Sequence, residues 1–191
     1  TPAAPQAGTA DDEIVNVYWA WSNDTVSAGT PERITAGGRT VDAATPDAAM
    51  AALLAGPNDL ELEIGMTSAI PDGVELLGVD VDGGVATVDL SAAINESSGS
   101  LVEIVRLTQV VFTHTQFDDI DGVSIRSDGA DIDEFGSHGI EVSTPKTRDD
   151  FPEVRAFITL ERPFPGAMFE SGDRLIGEAN VFEGTVQYVV T

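Results

Sequence analysis

The chain has 191 residues, 42% of them apolar and none of them cysteine, with 33 acidic against 9 basic side chains for a formal charge of −24. That length and apolar content allow a packed core in one large domain, or in one domain and part of a second. The charge repels nucleic acid and anionic lipid headgroups, and the lack of cysteine excludes disulfides, thiolate metal sites and cysteine nucleophiles.

Residues 1–12, TPAAPQAGTADD, are rich in Pro, Ala and Gly and turn acidic, which reads as a tether. A tether that starts without methionine is expected after removal of an export signal, and a cut boundary looks the same. No apolar run is long enough to span a bilayer. EIVNVYWAWS, from Glu13, is β-branched and aromatic and predicts a strand. Alternation puts Val15, Val17 and Trp19 on one face, with Ile14, Tyr18 and Trp21 near the other. These aromatics read as core rather than as a binding platform. The polar stretch that follows suggests an edge hairpin turning at Gly37-Gly38.

TPDAAMAALLAGP predicts a helix capped by Thr45, with Pro46 at its first position, Asp47 at its positive end and Gly56-Pro57 as its stop. Ala49, Met50, Leu53 and Leu54 form its apolar stripe. GVELLGVDVDGGVATVDLS predicts a hairpin that reverses at Asp82-Gly83-Gly84. Leu77, Val79 and Val81 on one arm, and Ala86, Val88 and Leu90 on the other, point to the core. LVEIVRLTQVVFTHTQF carries Leu101, Ile104, Val105, Thr108, Val111, Phe112 and Thr115 at helical spacing. Ser100 and Glu103 stand in capping-box register at its start. GVSIRSDGADIDEF reads as two strands turning at Asp128-Gly129.

The order strand, helix, strand, strand, helix, strand is the split βαββαβ arrangement. It predicts an α+β fold with an antiparallel sheet and two helices on one face. A domain over 13–151 then gives way to a linker at 152–155. From 156 the helical period is lost, and short strands at 156–161, 173–180 and 184–191 suggest the start of a β-sandwich, too short to close.

LLAGP (Leu53–Pro57), TSAIPDG (Thr67–Gly73), GGVATVDLS (Gly83–Ser91), LTQVVFTHTQF (Leu107–Phe117) and RDDF (Arg148–Phe151) come in the order of a known family. Residues 14–151 resemble the GerMN domain of sporulation and spore germination proteins. The tail, through Pro163–Ala167 and GEANVFEGTV from Gly177, resembles the N-terminal strands of the immunoglobulin-like domain often fused behind GerMN. The resemblance implies a ring-building-motif-like fold, export to the bacterial cell envelope, often on an upstream lipid anchor, and no known catalysis.

The residues themselves offer little chemistry. His114 lies off the apolar stripe of its helix, so a surface or boundary position is expected, and no G-x-S-x-G frame accompanies either histidine. Asp118, Asp119, Asp121, Asp128, Asp131, Asp133 and Glu134 cluster in sequence. Of these, Asp128, Asp131, Asp133 and Glu134 around Gly129 are candidate ligands for Ca²⁺, although the EF-hand frame is not met. The alternative is a solvated acidic hairpin. No other cofactor is implied. NDT at Asn23 and NES at Asn95 fit the glycosylation acceptor pattern. The reading that follows is a non-catalytic envelope domain for protein–protein interaction or assembly, with self-association through the strands of 156–191. A glycan-binding module is the alternative and a hydrolase the less favoured one.

A charge of −24 repels itself within the folded state. Raising salt from about 10 mM to about 1 M shortens the Debye length from roughly 30 to 3 Å. The melting temperature is expected to rise over that range. An unchanged value would remove self-repulsion as a leading influence.

Overall fold

The computed structural model describes residues 13–21, 33–156, 158–168 and 170–179. The expected tether at 1–12, Asn23 and the expected strand at 184–191 lie outside them. Within them, the α+β class expected from the sequence is the observed one.

Strand β1 (Glu13–Trp21) pairs antiparallel with β2 (Arg33–Val41) along its whole length. The turn expected at Gly37-Gly38 is therefore absent, and both glycines lie in mid-strand opposite Val17 and Asn16. Close approach explains them: a Cβ at residue 37 would collide with the Glu61 carboxylate and the Trp19 indole, and one at 38 with the Phe164 ring. Trp21 shares the face of Trp19, as alternate residues of an unbroken strand must. Both indoles reach the same short helix, Trp19 donating to Glu61 and Trp21 to the Ile64 carbonyl.

Helix α1 (Pro46–Leu54) keeps every expected signal: Thr45 Oγ1 accepts from Ala48 N, and Gly56 takes φ 79° just beyond the end. Helix α2 (Asp59–Glu63), which the sequence reading passed over, starts from a capping box between Asn58 and Glu61. Strand β3 (Met66–Thr67) then pairs with the end of β1, giving a sheet ordered β2-β1-β3.

The second sheet is ordered β4-β5-β6-β7. Strands β4 (Leu76–Asp82) and β5 (Val85–Leu90) form the expected hairpin, with Gly83 and Gly84 at φ 56° and 85°. A register shift between Leu76 and Gly78 turns Leu77 outward, where it is 51% exposed rather than buried. Val81, at the rim of this edge strand, is also exposed. Helix α3 (Ser100–His114) crosses from β5 to β6 (Gly122–Ser127), so these two strands are parallel. The expected single antiparallel sheet is thus two sheets, one of them mixed, because the crossover carries the chain back to the end of the sheet at which β5 began. Strand β7 (Ala130–Asp131) follows a turn in which Asp128 and Gly129 both take positive φ. A small hairpin of β8 (Glu134–Phe135) and β9 (Ile140–Glu141) comes next.

The expected linker at 152–155 is anchored: Phe151 and Val154 are buried, and Val154 O accepts from Ile34 N at 2.8 Å. The tail adds β10 (Ile158–Arg162) and β11 (Ile176–Ala179), an antiparallel pair. Its described residues form this one hairpin.

Leu53, Val88, Leu90, Val111 and Phe112 are buried in one core, as expected. Helix α3 departs from the expected amphipathic pattern, since every residue from Val105 to His114 is buried. The cause lies on β1. Its edge away from β2 is paired with β3 only at Ala20 and Trp21. Side chains of α3 and of the turn after it reach groups at Asn16 and Tyr18. Gln116 accepts from Asn16 N and donates to Asn16 O, both at 2.7 Å, while Gln109 donates to Tyr18 O at 2.8 Å. The Oε1 of Gln109 accepts from Ala69 N at 2.7 Å. Two side-chain amides, one on α3 and one just past its end, thus stand in for a missing strand.

Replacing Gln109 with Leu keeps the volume but strands two buried backbone groups. The loss expected is about 1–3 kcal/mol in denaturant unfolding. A neutral result would mean that water, not Gln109, satisfies this edge.

Candidate functional site

Three buried polar centres hold the groups from which chemistry could be built. The first lies between β2 and α2. The Glu61 carboxylate, 1% exposed, receives Arg39 Nη1 at 2.8 Å and Nη2 at 2.5 Å, Trp19 Nε1 at 3.0 Å and Asn58 N at 2.8 Å. The Arg39 guanidinium also lies 5.3 Å from the centre of the Trp19 ring. Every strong acceptor direction of the carboxylate is used, so this is a closed structural pair.

The second centre is Glu103. The capping box expected with Ser100 does not form: Gly99 is the N-cap, and Ser100 is the first helical residue. Glu103 turns instead to the loop before β9. It accepts from Ser137 Oγ at 2.7 Å, Ser137 N at 3.0 Å, His138 N at 3.1 Å and Ser98 N at 3.2 Å. His138 Nδ1 lies 3.0 Å from Glu103 Oε2 and 3.3 Å from Ser137 Oγ. Serine, histidine and carboxylate are together, but not in relay order. A hydrolytic triad places the imidazole between hydroxyl and carboxylate, one ring nitrogen to each. Here both contacts fall on Nδ1, and the hydroxyl proton goes straight to the carboxylate. The cluster is a clamp on the loop at Gly136, where a Cβ would strike the Glu103 carboxylate. Burial opposes ionisation of Glu103, yet the hydrogen bonds from Ser137, Ser98 and His138 hold it well below the usual carboxylate range. A carboxylate one turn into a helix, followed by its buried stretch, was the available sequence signal.

The third centre joins the tail hairpin to the rest. Arg148, from the RDDF segment, donates through Nε to Thr115 Oγ1 at 3.0 Å, and through Nη2 to Tyr18 Oη at 2.9 Å and Phe112 O at 3.2 Å. It lies over both rings, 5.1 Å from Tyr18 and 4.8 Å from Phe112. Its Nη1 and Arg155 Nη2 share Glu178 of β11 at 3.0 and 2.9 Å. Tyr18 Oη completes the joint by donating to Glu161 at 2.7 Å. Burial first, then Glu161, raise the phenol above its ordinary range. Docking of the tail on an acidic domain, disfavoured by net charge, occurs because the cations are concentrated at the joint.

The remaining sequence candidates are dispersed. Asp128, Asp131, Asp133 and Glu134 are all exposed. Asp131 pairs with Arg126 at 2.6 Å, and Asp128 accepts from Ala92 N at 3.1 Å. Among the described residues no group of three or more such side chains is placed to hold a metal ion. Asp118, Asp119 and Asp121 lie exposed on the turn after α3. The Asn95 amide is engaged at both ends, donating to Ser127 Oγ and accepting from Gly136 N, each at 3.2 Å. His114, expected at the surface, is fully buried because α3 is enclosed on all sides. Its Nδ1 lies 2.8 Å from Val110 O, and Nε2 has no partner among the described residues.

The family model described as Germane, sporulation and spore germination, matches residues 16–133. The structure is similar to a candidate lipoprotein from Clostridium perfringens, at 21% identity and TM-score 0.51, over 80% of this chain and 99% of that one. It is also similar to the tandem GerMN domains of the sporulation protein GerM from Bacillus subtilis, at 19% identity and TM-score 0.57. That likeness covers 73% of this chain and 47% of the tandem protein. The first GerMN domain of the same protein matches at 20% identity and TM-score 0.56, over 72% of this chain and 99% of the domain. Among curated proteins none matches the chain significantly. The family match ends at residue 133, so the immunoglobulin-like resemblance of the tail lies beyond it.

Burial pushes His114 down from 6.5 to about 4, against smaller upward influences from Val110 O and Asp47. The unfolded chain therefore binds a proton at higher pH than the folded one. Stability from this residue is complete above pH 6.5 and drains as pH falls through 4. Glu103, lowered from 4.5, adds a second loss below that value. Unfolding by denaturant is expected to ease between pH 6.5 and 4 in the native chain, and to be flatter over that interval in His114→Gln. Equal slopes would assign the acid sensitivity elsewhere.

Proposed function

The chain belongs to the Germane family of sporulation and spore germination domains, and from that membership we propose that it is a non-catalytic, envelope-associated assembly domain. Its similarity to a candidate lipoprotein supports the location, and export with an upstream anchor is part of the proposal. Among the described residues no helix is long and apolar enough to cross a membrane.

The observation that carries the assembly reading is the inverted hairpin β10–β11. Its polar residues face the domain: Thr159 is buried, and Glu161 meets Tyr18. Its apolar residues face away, with Ile158 50%, Leu160 41% and Ile176 52% exposed. A strand pair with its dry side outward is stable in water only at a cost, and burial against another protein surface removes that cost. The proposed contact is a second copy of the chain or an apolar strand of a partner. The hairpin is already riveted to the core through Glu161 and Glu178, so the outward face is presented in a fixed orientation.

Ile158→Glu with Leu160→Glu tests this. Self-association or partner capture, read by light scattering and sedimentation, is expected to disappear while the melting temperature of the core stays put. Association as strong as in the native chain would overturn the hairpin as the assembly element.

A further inference from the structure

In a chain with 33 acidic and 9 basic side chains, a cation without a carboxylate is unusual. Arg39, Arg126, Lys146, Arg148 and Arg155 each hold one. Arg106 is forked onto the carbonyls of Ala69, Ile94 and Glu96. Arg162 and Arg174 differ. Neither has an ion-pair partner among the described residues, and both line the same cleft at the turn end of the tail hairpin.

The cleft holds about 280 Å³ and is lined by Pro163, Phe164, Ala167, Asp173 and Ile176 besides the two arginines. Arg162 lies 6.0 Å from the centre of the Phe164 ring. Its Nη1 is buried and has no hydrogen-bond partner among the described residues. An orphaned, charged donor in a desolvated position is costly, and a ligand acceptor would relieve it. Register adds a second observation. The ladder shifts between Leu160 and Arg162, leaving Glu161 as the extra residue. That bulge sends Glu161 to Tyr18 and frees Arg162 for the cleft. Bulges of this kind re-aim side chains beside binding sites.

We propose that this cleft binds a carboxylate carried on an aromatic or branched apolar body. The two guanidinium groups take the carboxylate, whose planar geometry suits an arginine fork. The apolar walls take the body. The volume is at the lower end of the range for small-ligand sites, so one ring or branched side chain fills it. The net charge of −24 does not forbid this. At physiological salt the Debye length is about 8 Å, and the local arginines outweigh the distant carboxylates. Asp173 is occupied, accepting from Glu170 N at 2.8 Å. A free small acid and the C-terminal carboxylate of a peptide share this chemistry.

The test uses the full chain, with backbone amide resonances followed during titration. The probes are benzoate, a tripeptide ending in Phe, its C-terminal amide, and acetate. Benzoate or the tripeptide is expected to shift residues 162–167 and 173–176 at millimolar concentration. Tighter binding of the tripeptide assigns a chain terminus as the source, and equal or tighter binding of benzoate assigns a free acid. The amide is expected to bind at least about fivefold more weakly than the acid, and Arg162→Gln and Arg174→Gln about tenfold more weakly than the native chain. No shift at these residues up to about 10 mM, acid and amide of equal affinity, or acetate as tight as benzoate overturns the proposal. The acid–amide comparison uses the native chain, so it decides even where Arg162→Gln fails to fold.

Discussion

The open edge of β1 is the constraint on which the rest of the molecule depends. Buried backbone groups must be paired, and β3 reaches only the last two residues of that edge. Gln109 of α3 and Gln116 of the turn just after it supply the missing partners at Asn16 and Tyr18. That task fixes where α3 lies and in which rotation. With one side held against β1, the helix packs its remaining sides on α1 and β6 and against the Arg148 turn. The burial of His114, the inward aim of Glu103 and the contact of Phe112 with Tyr18 all follow from this placement.

Charge organises the outer joints in the opposite sense from what composition suggests. The surface is overwhelmingly acidic, so attraction can arise only where the few cations are placed. They stand at seams: Arg39 between β2 and α2, Arg106 between α3 and two loops, Arg148 and Arg155 between the domain and the tail hairpin. Such partly buried, multiply bonded arginines are worth far more than exposed pairs such as Arg126 with Asp131. High salt should therefore act on the molecule in two ways. It relieves repulsion across the acidic surface, and it weakens the more exposed links to Glu178.

The polar interior of this molecule is tied up in its own fold. Its buried polar groups are largely consumed in holding one element to another, as the inverted order of Ser137, His138 and Glu103 illustrates. Among the described residues, the features left without an internal role sit on the tail hairpin: an outward apolar face and two arginines without an ion-pair partner. Both lie beyond residues 16–133, the part of the chain matched by the Germane family.

What the sequence determined by itself was local. The cap at Thr45, the stop at Gly56, the turns at Gly83-Gly84 and Asp128-Gly129, and the alternation of β5 depend on φ preferences and hydrogen bonds within a few residues. The GerMN resemblance likewise rested on contiguous words, and the family match bears it out. Tertiary structure decided the rest. Gly37 and Gly38 looked like a turn because the side chains that crowd them, Glu61 and Phe164, come from elsewhere in the chain. Glu103 looked like a capping residue, although its partners Ser137 and His138 are 34 and 35 positions away. Gln109 carries no local signal of its role, since it lies 91 positions from the carbonyl it completes. In the acidic run from Asp128, nearness in sequence says nothing of partners: Asp131 pairs with Arg126 and Asp128 accepts from Ala92 N. Desolvation and pairing depend on which distant surfaces meet, and nothing within a short window of sequence specifies that.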